Sequence, residues 1–271
     1  AQESRGLGDV YKRQIKPLTL ITGVNGMGKS TLIQSLLFLK QNHELGYLFN
    51  PKKKLRLKHD FVNLESAGDI CYTFAKEKNI GIFIKDIHEN EYQWTLDASD
   101  AGSEEIGYTY TGNDINELSL FDDRFIFLEA ERWGPRAVYN RFESRAYNTS
   151  LGIQGELTPA YLNNALATNE EIGMKEMKHP DLKEGQTQLT ENVNAWMAQI
   201  MQIPTLKAST TDIDKDKIKL EYGMSGTKGK KYSALQVGFG FTYCLPIIVA
   251  LLRAKAVSYT HLRAHETPEH L

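Results

Sequence analysis

The chain has 271 residues, of which 41% are apolar, 10% aromatic and 24% charged, a composition that is typical of globular proteins and excludes a disordered or fibrous chain. Thirty-two basic and 34 acidic residues give a net charge of −2, so the chain as a whole has no electrostatic preference for nucleic acid or an anionic membrane. Two cysteines, Cys71 and Cys244, are too few for a disulfide framework and suit a reducing cytoplasm.

Both ends of the chain differ from its middle. Residues 1–14 and 256–271 have neither a sustained apolar stripe nor a clean strand alternation, and they resemble translated sequencing-adapter read-through in metagenomic assemblies. We therefore expect the native body to be residues 15–255. The tail contains a pattern that could pass for a metal site, which we interpret as a chance arrangement of His261, His265 and Glu266.

A phosphate-binding loop is the first motif of the body. Residues 17–22 predict a buried strand, residues 23–30 read GVNGMGKS and match GxxxxGK[ST], and apolar residues then recur at helical spacing up to Lys40. In such a loop, glycines let backbone N–H groups surround phosphate oxygens at a helix start. Lys29 would neutralise the β- and γ-phosphates, and the Ser30 hydroxyl would ligate Mg²⁺. The motif predicts ATP and Mg²⁺ binding through Gly23, Asn25, Gly26, Gly28, Lys29, Ser30 and Thr31.

The segment after the predicted helix is basic and then turns β-rich. The cluster Lys52, Lys53, Lys54, Arg56 and Lys58 favours a solvated loop, with a nucleic-acid contact as the alternative. From residue 69 to about 111 the apolar period is two, which predicts an antiparallel meander with Ile70, Tyr72 and Phe74 on one strand, Ile80, Ile82 and Ile84 on the next, and Tyr92, Trp94 and Leu96 on a third. A meander after the P-loop helix, and the lack of an NKxD tetrad, disfavour kinases and small GTPases.

A strand and two helices follow the meander. Residues 125–129 predict an apolar strand ending in Glu129, which on its own could carry the Mg²⁺ carboxylate of a Walker B motif. Thr158 can cap a helix whose first position is Pro159, with Tyr161, Leu162, Ala165 and Leu166 facing inward. The second helix has an apolar stripe that ends before Pro204 and indicates core packing: Leu189, Val193, Trp196, Met197 and Ile200.

The last third of the body contains a polar turn, a strand and an apolar helix. Residues 212–216 resemble the start of a calcium loop, but Lys217 and Gly223 occupy positions that need glycine and glutamate, so a polar turn is favoured. Residues 218–222 predict a strand. Residues 232–252 contain no charged side chain, which is long enough for a membrane span, but continuous helix-compatible sequence begins only at Phe241, so a buried helix is favoured. Two glycines before this helix would create a second anion-binding N-terminus.

Six motifs together resemble a bacterial family of ABC-type ATPase heads, usually called AAA family ATPases and related to the RecF, SMC and overcoming-lysogenization-defect groups. In chain order these motifs read LTLITGVNGMGKSTLIQSLLFLKQ, FVNLESAGDICYTFA, FIFLEAERWGPR, LGIQGELTPAYL, VNAWMAQI and QVGFGFTYCLPIIVALLRAK. The resemblance covers residues 15–255 and implies that two protomers enclose two MgATP molecules.

The resemblance also implies roles for single residues. Gly238, Phe239 and Gly240 match the ABC signature, which would cover the γ-phosphate of ATP bound to a second protomer. Asp69 lies where such heads carry a Q-loop, although no glutamine is present there. The strand ending in Glu129 matches a structural strand of the family, which demotes that carboxylate as a catalytic acid. Arg132 and Arg136 match a GPR element, for which a structural ion pair is the default expectation.

The sequence departs from the family pattern at both ends. Such heads continue after the signature helix with an acidic Walker B strand and a switch histidine, whereas the family sequence here stops at about Lys255, and residues 260–265 are not the apolar strand required. The strand that normally precedes Ile15 is replaced as well. We therefore expect a fragment with no identifiable catalytic residue and little or no turnover.

The predicted fold is an α/β P-loop NTPase of the ABC-head type with an inserted antiparallel β-meander and a helical subdomain, truncated at its C-terminus. Residues 15–50 would form the P-loop strand and helix, 60–128 a β-rich part, 130–205 a helical part, and 206–255 a strand and the signature-like helix. The predicted function is ATP binding and hydrolysis, with MgATP-driven homodimerisation coupled to a DNA transaction or a defence effector in the cytoplasm. The alternatives are a nucleotide-dependent interaction switch that does not hydrolyse ATP and a membrane protein spanning at residues 232–252.

Overall fold

The computed structural model describes residues 19–24, 28–50, 52–122, 125–141, 150–224 and 226–254, and the backbone of 260–262. In these ranges the helices are α1 (Lys29–Glu44), α2 (Ala67–Ile70), α3 (Thr158–Ala167), α4 (Leu189–Ile200) and α5 (Phe239–Arg253). The strands are β1 (Leu55–Arg56), β2 (Asn79–Lys85), β3 (Glu91–Asp97), β4 (Glu105–Gly112), β5 (Ile126–Leu128), β6 (Tyr139–Asn140), β7 (Lys207–Asp212), β8 (Lys217–Gly223), β9 (Lys231–Ser233) and β10 (Thr260–Leu262). Helices and largely antiparallel sheets make a mixed α/β fold.

The predicted meander is confirmed for its main strands. β2, β3 and β4 are consecutive antiparallel neighbours, and β1 completes the sheet in the order β1-β4-β3-β2. The isoleucines predicted on one strand lie opposite the large residues predicted on the next, because Ile80 pairs with Leu96, Ile82 with Trp94 and Ile84 with Tyr92. Alternation therefore identified both the strands and the face that turns inward.

The first strand predicted for this meander is wrong. Residues 67–70 form the short helix α2, and Tyr72 and Phe74 after it are 71% and 80% exposed. The Ser66 backbone N–H donates to the Asp69 carboxylate, and Ser66 with Asp69 forms a capping box at the start of α2. The side chain–backbone bonds of this box hold the helical start, which no periodicity argument detects.

α1 packs on this sheet with its C-terminal half. Its first turns are exposed or half-buried, whereas Leu37, Phe38 and Leu39 are almost completely buried. We call the hydrophobic group around them the α1 cluster, whose other members include Leu55, Leu57, Tyr92, Trp94, Leu96, Ile106, Leu120, Phe121 and Phe127. The start of α1 therefore projects from a helix that is anchored at its other end.

A second hydrophobic group surrounds α5, and we call it the α5 cluster. It includes Tyr139, Tyr161, Leu189, Val193, Met197, Ile218, Leu220, Tyr222, Leu245, Ile248, Val249 and Leu252. Its sheet has the order β6-β8-β7, with β9 also paired to β8. β5 lies between the two groups, since Ile126 and Leu128 belong to the α5 cluster and Phe127 to the α1 cluster.

The helices of this second half follow the prediction in position and differ in detail. Thr158 is the first residue of α3 and Leu157 its cap, so the cap assignment to Thr158 is wrong. Leu166 and Ile200, predicted to face inward, are 58% and 51% exposed because each lies in the last turn of its helix, beyond the packed face. The strand at 218–222 is confirmed as β8, and the polar turn at 212–216 is confirmed as its connection to β7.

α5 is a buried helix that begins earlier than predicted. It starts at Phe239, so Gly240 lies inside the helix and only Gly238 precedes it. Its buried residues are Thr242, Leu245, Pro246, Ile248, Val249, Ala250 and Leu252. At its C-terminal end the Gly173 backbone N–H donates to the Leu252 carbonyl oxygen at 2.7 Å, which satisfies one of the last carbonyls of the helix.

The strand predicted before the phosphate loop is wrong in its described part. Residues 19–24 belong to no sheet of the described chain, and Leu20, predicted inside a buried strand, is 85% exposed. Conversely, residues 260–262 form β10 and pair in parallel with β5, in a segment that the sequence indicated only as unable to supply the buried strand of the family pattern. A strand depends on a neighbour that supplies backbone hydrogen bonds, which the apolar pattern of the segment itself does not reveal.

Candidate nucleotide-binding site

The described part of the phosphate loop lies at the start of α1. Gly28 precedes the helix with φ of 77° and ψ of 11°, a left-handed conformation that glycine adopts without steric cost. Lys29, Ser30 and Thr31 are the first three helical residues, and the first helical hydrogen bond runs from the Leu32 N–H to the Gly28 carbonyl at 3.3 Å. The N–H groups of the three preceding residues therefore point out of the helix end, where an anion can accept them.

The side chain of Lys29 connects the two sides of the loop. Its ammonium donates a hydrogen bond to the carbonyl oxygen of Gly23, the first glycine of the motif. The cation is thus held between Gly23 and the helix start, where a phosphate oxygen could accept a hydrogen bond from it. Two other predicted nucleotide-binding residues, Asn25 and Gly26, lie outside the described residues.

The residues at this helix start fit MgATP by their chemistry. The first turn, residues 29–32, contains no acidic side chain, so nothing in it repels phosphate, and Gly28 offers no side-chain cap that would compete for the N–H groups. Ser30 supplies a hydroxyl of the kind that ligates Mg²⁺ in P-loops, and Thr31 stands directly after it. A Cβ at position 28 would force a side chain into the left-handed conformation, so the glycine is required by the backbone.

Three buried polar residues, which the sequence reasoning missed, anchor α1. Asn42 is fully buried, and its carboxamide donates to the Arg56 carbonyl at 3.0 Å while accepting the Arg56 N–H at 2.8 Å. Gln41 donates to the same carbonyl at 3.0 Å and accepts the Val62 N–H at 3.2 Å. The signal was a run of three polar residues, 40–42, directly after the apolar residues 36–39 of the same helix.

The third member of this set is Lys40, which is 5% exposed. Its ammonium donates to the carbonyl oxygens of Phe121 and Asp122 at 3.4 and 3.1 Å and forms an ion pair with Glu44 at 3.4 Å. These bonds connect α1 to the segment that leads into β5. The C-terminal half of the helix that presents the phosphate loop is therefore fixed by partnered polar groups as well as by apolar packing.

The predicted signature residues form a second exposed helix start. Gly238 caps α5 with φ of −64° and ψ of 151°, and no other described atom lies within 4 Å of where its Cβ would be. Phe239 is 65% exposed, and Gly240 is exposed as well. The first turn of α5 contains no acidic residue. This end can accept an anion on its backbone N–H groups, but its first turn, residues 239–242, contains no positively charged side chain.

The two helices that begin after a glycine, α1 and α5, pack in different hydrophobic clusters. α1 is anchored in the α1 cluster, and α5 in the α5 cluster. Of the predicted site residues, 28–31 lie together at the start of α1 and 238–240 at the start of α5. Gly23 contacts the start of α1 because its carbonyl accepts the hydrogen bond from Lys29.

The GPR element packs against the start of α5. A Cβ on Gly134 would lie 2.8 Å from the Phe239 ring, so glycine allows the close approach of this ring. The Arg132 guanidinium donates to the Tyr243 carbonyl at 3.2 Å and to the Glu129 carbonyl at 2.9 Å, and it lies 5.4 Å from the Tyr243 ring centre. Arg132 thereby ties the end of β5 to the first turns of α5.

The ion pairs expected for Arg132 and Arg136 are wrong. In the described ranges both guanidinium groups face aromatic rings, Arg136 lying 4.9 Å from the ring centre of Trp133. The backbone N–H of Arg136 donates to the Tyr139 hydroxyl at 3.1 Å, and burial raises the pKa of Tyr139. Cation–π contacts and carbonyl hydrogen bonds satisfy the guanidinium donors that an acidic partner would otherwise take.

Glu129 and Asp69 have structural partners. The Gln154 amide donates to the Glu129 carboxylate at 3.4 Å, and the Glu129 N–H donates to the Ile153 carbonyl at 2.9 Å, so this carboxylate lies against the connection to α3. The Asp69 carboxylate accepts the Ser66 N–H at 3.1 Å as part of the α2 capping box. Both residues occupy positions that local structure explains.

The basic cluster is partly neutralised. Lys58 forms ion pairs with Glu65 and Glu104 at 3.0 and 2.9 Å, which raise its pKa, and Arg56 lies 3.9 Å from the Glu105 carboxylate. Lys53 lies over the Tyr47 ring at 4.9 Å. Among the described residues of this cluster, Lys52 and Lys54 complete an exposed basic loop, as the favoured interpretation expected.

Two further observations concern the membrane-span alternative and metal binding. No helix in the described part of the chain is long and apolar enough to cross a bilayer, and α5, the candidate for a span, has 15 residues. The described residues also contain no cluster of His, Cys, Asp and Glu side chains that could by itself hold a metal ion. The tail residues His265 and Glu266 lie outside the described residues, as does the side chain of His261.

Comparison with known proteins gives one match. A family model described as an AAA domain matches residues 15–221, from the segment before the phosphate loop to β8. No curated protein and no solved structure matches the chain. The matched region covers more than half of the chain and includes the start of α1.

Proposed function

The chain belongs to the AAA domain family, and from this premise we propose that it is an ATPase of the ABC-head type that binds MgATP at the start of α1. The observation that carries the proposal is the left-handed Gly28 followed by Lys29 and Ser30 at an uncapped helix start. An ammonium, a hydroxyl and outward-pointing N–H groups then lie on consecutive residues at one helix start, which is the donor set that a triphosphate and its metal require.

Each residue of this set has a separate task. Lys29 transfers its hydrogen bond from the Gly23 carbonyl to the β- and γ-phosphate oxygens, and its charge offsets theirs. The N–H groups after Gly28 bind the phosphates along the helix dipole, and Ser30 holds the metal. Bound Mg²⁺ would neutralise charge that develops on the phosphate oxygens during hydrolysis. The anchoring of α1 by Gln41 and Asn42 keeps these donors in place without reorganisation.

We further propose that the start of α5 acts on the nucleotide of a second protomer. Its exposed N–H groups and the absence of acidic residues in its first turn support an anion as the ligand. The lack of a cation within that first turn supports a nucleotide that is already held by another phosphate loop. MgATP would then join two protomers, and its turnover would couple to a DNA transaction or a defence effector in the cytoplasm.

A second candidate function is a switch that binds ATP and dimerises without hydrolysis. The Glu129 contact with Gln154 favours it, because the carboxylate at the end of β5 accepts a hydrogen bond from within the fold. General acid–base help contributes roughly two to four orders of magnitude in rate, so a chain without it would bind ATP far better than it hydrolyses it.

Calorimetry and phosphate release separate the two candidates. We expect one MgATP to bind per chain, and we expect Lys29→Ala to abolish the binding heat. Phosphate release that is lost in Lys29→Ala would establish the ATPase. Binding without any phosphate release, together with an ATP-dependent increase in mass, would favour the switch.

The role of α5 is tested at Gly238, where a side chain fits without strain. Asp and Asn both cap helices well, so Gly238→Asp and Gly238→Asn have similar effects on α5 itself. Only Gly238→Asp places a negative charge where the second nucleotide would lie. We expect it to abolish the ATP-dependent mass increase seen by light scattering, while Gly238→Asn retains it and both variants bind ATP normally. Equal behaviour of the two variants would contradict the proposed role of α5.

A further inference from the structure

β2 is an edge strand whose hydrogen-bonding side is open. It pairs with β3 on one side, and the described chain places no strand on the other. The Asp86 N–H donates to Asn90, and the Ala98 N–H to Lys78, which identifies the even-numbered residues as those bonded across to the β3 side. Because the ladder alternates, the odd-numbered residues Asn79, Gly81, Phe83 and Lys85 direct their N–H and C=O groups to the open edge.

This edge has few of the features that usually prevent pairing. β2 ends in Lys85, but from residue 79 to residue 84 it reads NIGIFI, without proline and without charge. Its inward-facing isoleucines are only half-buried, whereas Tyr92 and Trp94, to which Ile84 and Ile82 pair on β3, are completely buried. On the outer face Phe83 is 49% exposed. Apolar surface and backbone groups are thus both incompletely covered along the same strand.

We propose that β2 pairs with β2 of a second copy of this chain, antiparallel about a twofold axis at Ile82. The register places Ile82 opposite Ile82 and Ile80 opposite Ile84, so the inner face continues across the interface. Gly81 lies opposite Phe83, and Asn79 opposite Lys85, and each of these pairs exchanges both of its N–H···O=C bonds. Lys78 comes opposite the anionic side chain of Asp86, whose pKa is lowered by the hydrogen bonds that it accepts from Asn90 and His88.

The neighbouring registers are worse. Centring on Gly81 puts Lys78 opposite Ile84, and centring on Phe83 puts Asp86 opposite Ile80 and Glu77 opposite Glu89. Only the register centred on Ile82 pairs all three isoleucines of β2 with isoleucine, and it also places Lys78 opposite Asp86, so the strand is complementary to itself. This self-complementarity selects a second copy as the partner.

The twofold β2 contact also limits the assembly that it forms to two copies. A single isologous contact joins two copies and leaves no second β2 edge for a third. The combined sheet would run from β1 through β4, β3 and β2 into the same strands of the second copy in reverse. Its outer edges are then both β1, which has two residues, including the charged Arg56. Short charged edges of this kind do not propagate pairing.

The β2 contact is separate from the nucleotide-mediated contact proposed above, so any ATP-dependent mass increase would be measured from this dimer. The dimer itself is tested without nucleotide, so that its outcome is independent of the proposed ATPase function. We expect the full chain to have twice its 30.7 kDa mass by light scattering, with Lys29→Ala giving the same result. A monomer at concentrations on the order of 100 µM would overturn the proposal.

Gly81 offers a matched pair of variants. Its φ is not positive, and no described atom lies within 4 Å of an added Cβ, so Gly81→Ala is tolerated. Gly81→Pro removes an N–H that points to the open edge and leaves the β3 ladder intact. We expect Gly81→Pro to weaken dimerisation by about tenfold or more and Gly81→Ala to retain it. A dimer of unchanged affinity in Gly81→Pro would show that the contact lies elsewhere.

Charged substitutions at Phe83 give a second test of the dimer, which applies even if Gly81→Pro disturbs folding. In the proposed register the two Phe83 side chains are diagonal neighbours on the outer face, within reach of long side chains. We expect Phe83→Lys and Phe83→Glu each to be monomeric, because like charges meet, and their mixture to form a dimer. Two single variants that remain dimers, or a mixture that remains monomeric, would refute the register.

Discussion

The two glycine-led helix starts of this protein differ in what surrounds them. α1 begins with a cation and two hydroxyls and is anchored by partnered polar side chains, among them Gln41 and Asn42. α5 begins with glycine and an exposed aromatic ring and is anchored by apolar residues such as Leu245 and Val249. A helix dipole alone is worth roughly 0.3–1 kcal/mol, so the charged side chain decides which end binds an anion by itself. From this difference we expect that the start of α1 binds a nucleotide by itself, whereas the start of α5 contacts only a nucleotide that the phosphate loop of a second protomer already holds.

The largest effect is expected from Lys29→Ala. Hydrogen bonds to charged groups contribute about 1.5–3 kcal/mol each, and Lys29 makes more than one to a triphosphate, so ATP affinity should fall by about a hundredfold or more. Isothermal titration calorimetry measures it. The control is Lys54→Ala in the exposed basic loop, which should bind as the unmodified chain does. Equal loss in both variants would mean that nonspecific charge, and not the loop, holds the nucleotide.

The anchoring of α1 is tested by Asn42→Ala. The substitution leaves the Arg56 N–H without the Asn42 oxygen that accepts it and removes one of the two side-chain donors to the Arg56 carbonyl, which costs about 1–3 kcal/mol of unfolding free energy. Urea denaturation measures this loss. The matched change in the other half is Thr158→Val, because the Thr158 hydroxyl is buried with no hydrogen-bond partner among the described residues. We expect that variant to be as stable as the unmodified chain, and a comparable loss would contradict the distinction.

Mild acid should lower the free energy of unfolding through His43, near the C-terminus of α1. His43 stacks on Phe121 with ring centres 4.3 Å apart, and burial, followed by the charge of Lys40, lowers its pKa below 6.5. A lowered pKa means that the folded state favours the neutral ring, so the stabilisation is present above pH 6.5 and is lost as the pH falls through the folded-state value. Denaturation at several pH values should show a decline that His43→Phe removes. A decline of the same size in His43→Phe would assign it to other groups.

The smallest effect is expected at the start of α5. Phe239 is 65% exposed, so Phe239→Ala should change the free energy of unfolding by no more than about 0.5 kcal/mol and leave ATP affinity unchanged. Calorimetry and thermal unfolding check both quantities. A clear loss of ATP affinity in this variant would place α5 at the nucleotide of its own chain and remove the contrast between the two helix starts.

The local sequence pattern predicted the secondary structure and the buried face of several regions. The loop residues 23–30 specify a glycine-led helix start because GxxxxGK[ST] combines backbone freedom with a cation at fixed spacing. Period two along 79–96 specified two strands and the face of each, and the long apolar run specified α5 as buried. These features depend on residues that are close in the chain, so the sequence alone contains their physical cause.

Tertiary structure decided the rest, because the interacting groups are distant in sequence. The apolar segment at 19–22 is not in a sheet, whereas β5 is paired by residues 260–262, since strands depend on neighbours that the sequence of a segment does not name. The same holds for Asn42, whose role requires β1 beside it, and for Gly134, whose role requires the Phe239 ring. The sequence by itself determined the chemistry of the phosphate loop and the period of its neighbours. Only the tertiary structure decided how α1 is anchored, which helix start stays exposed and which strand edge stays open, since each depends on contacts between residues far apart in the chain.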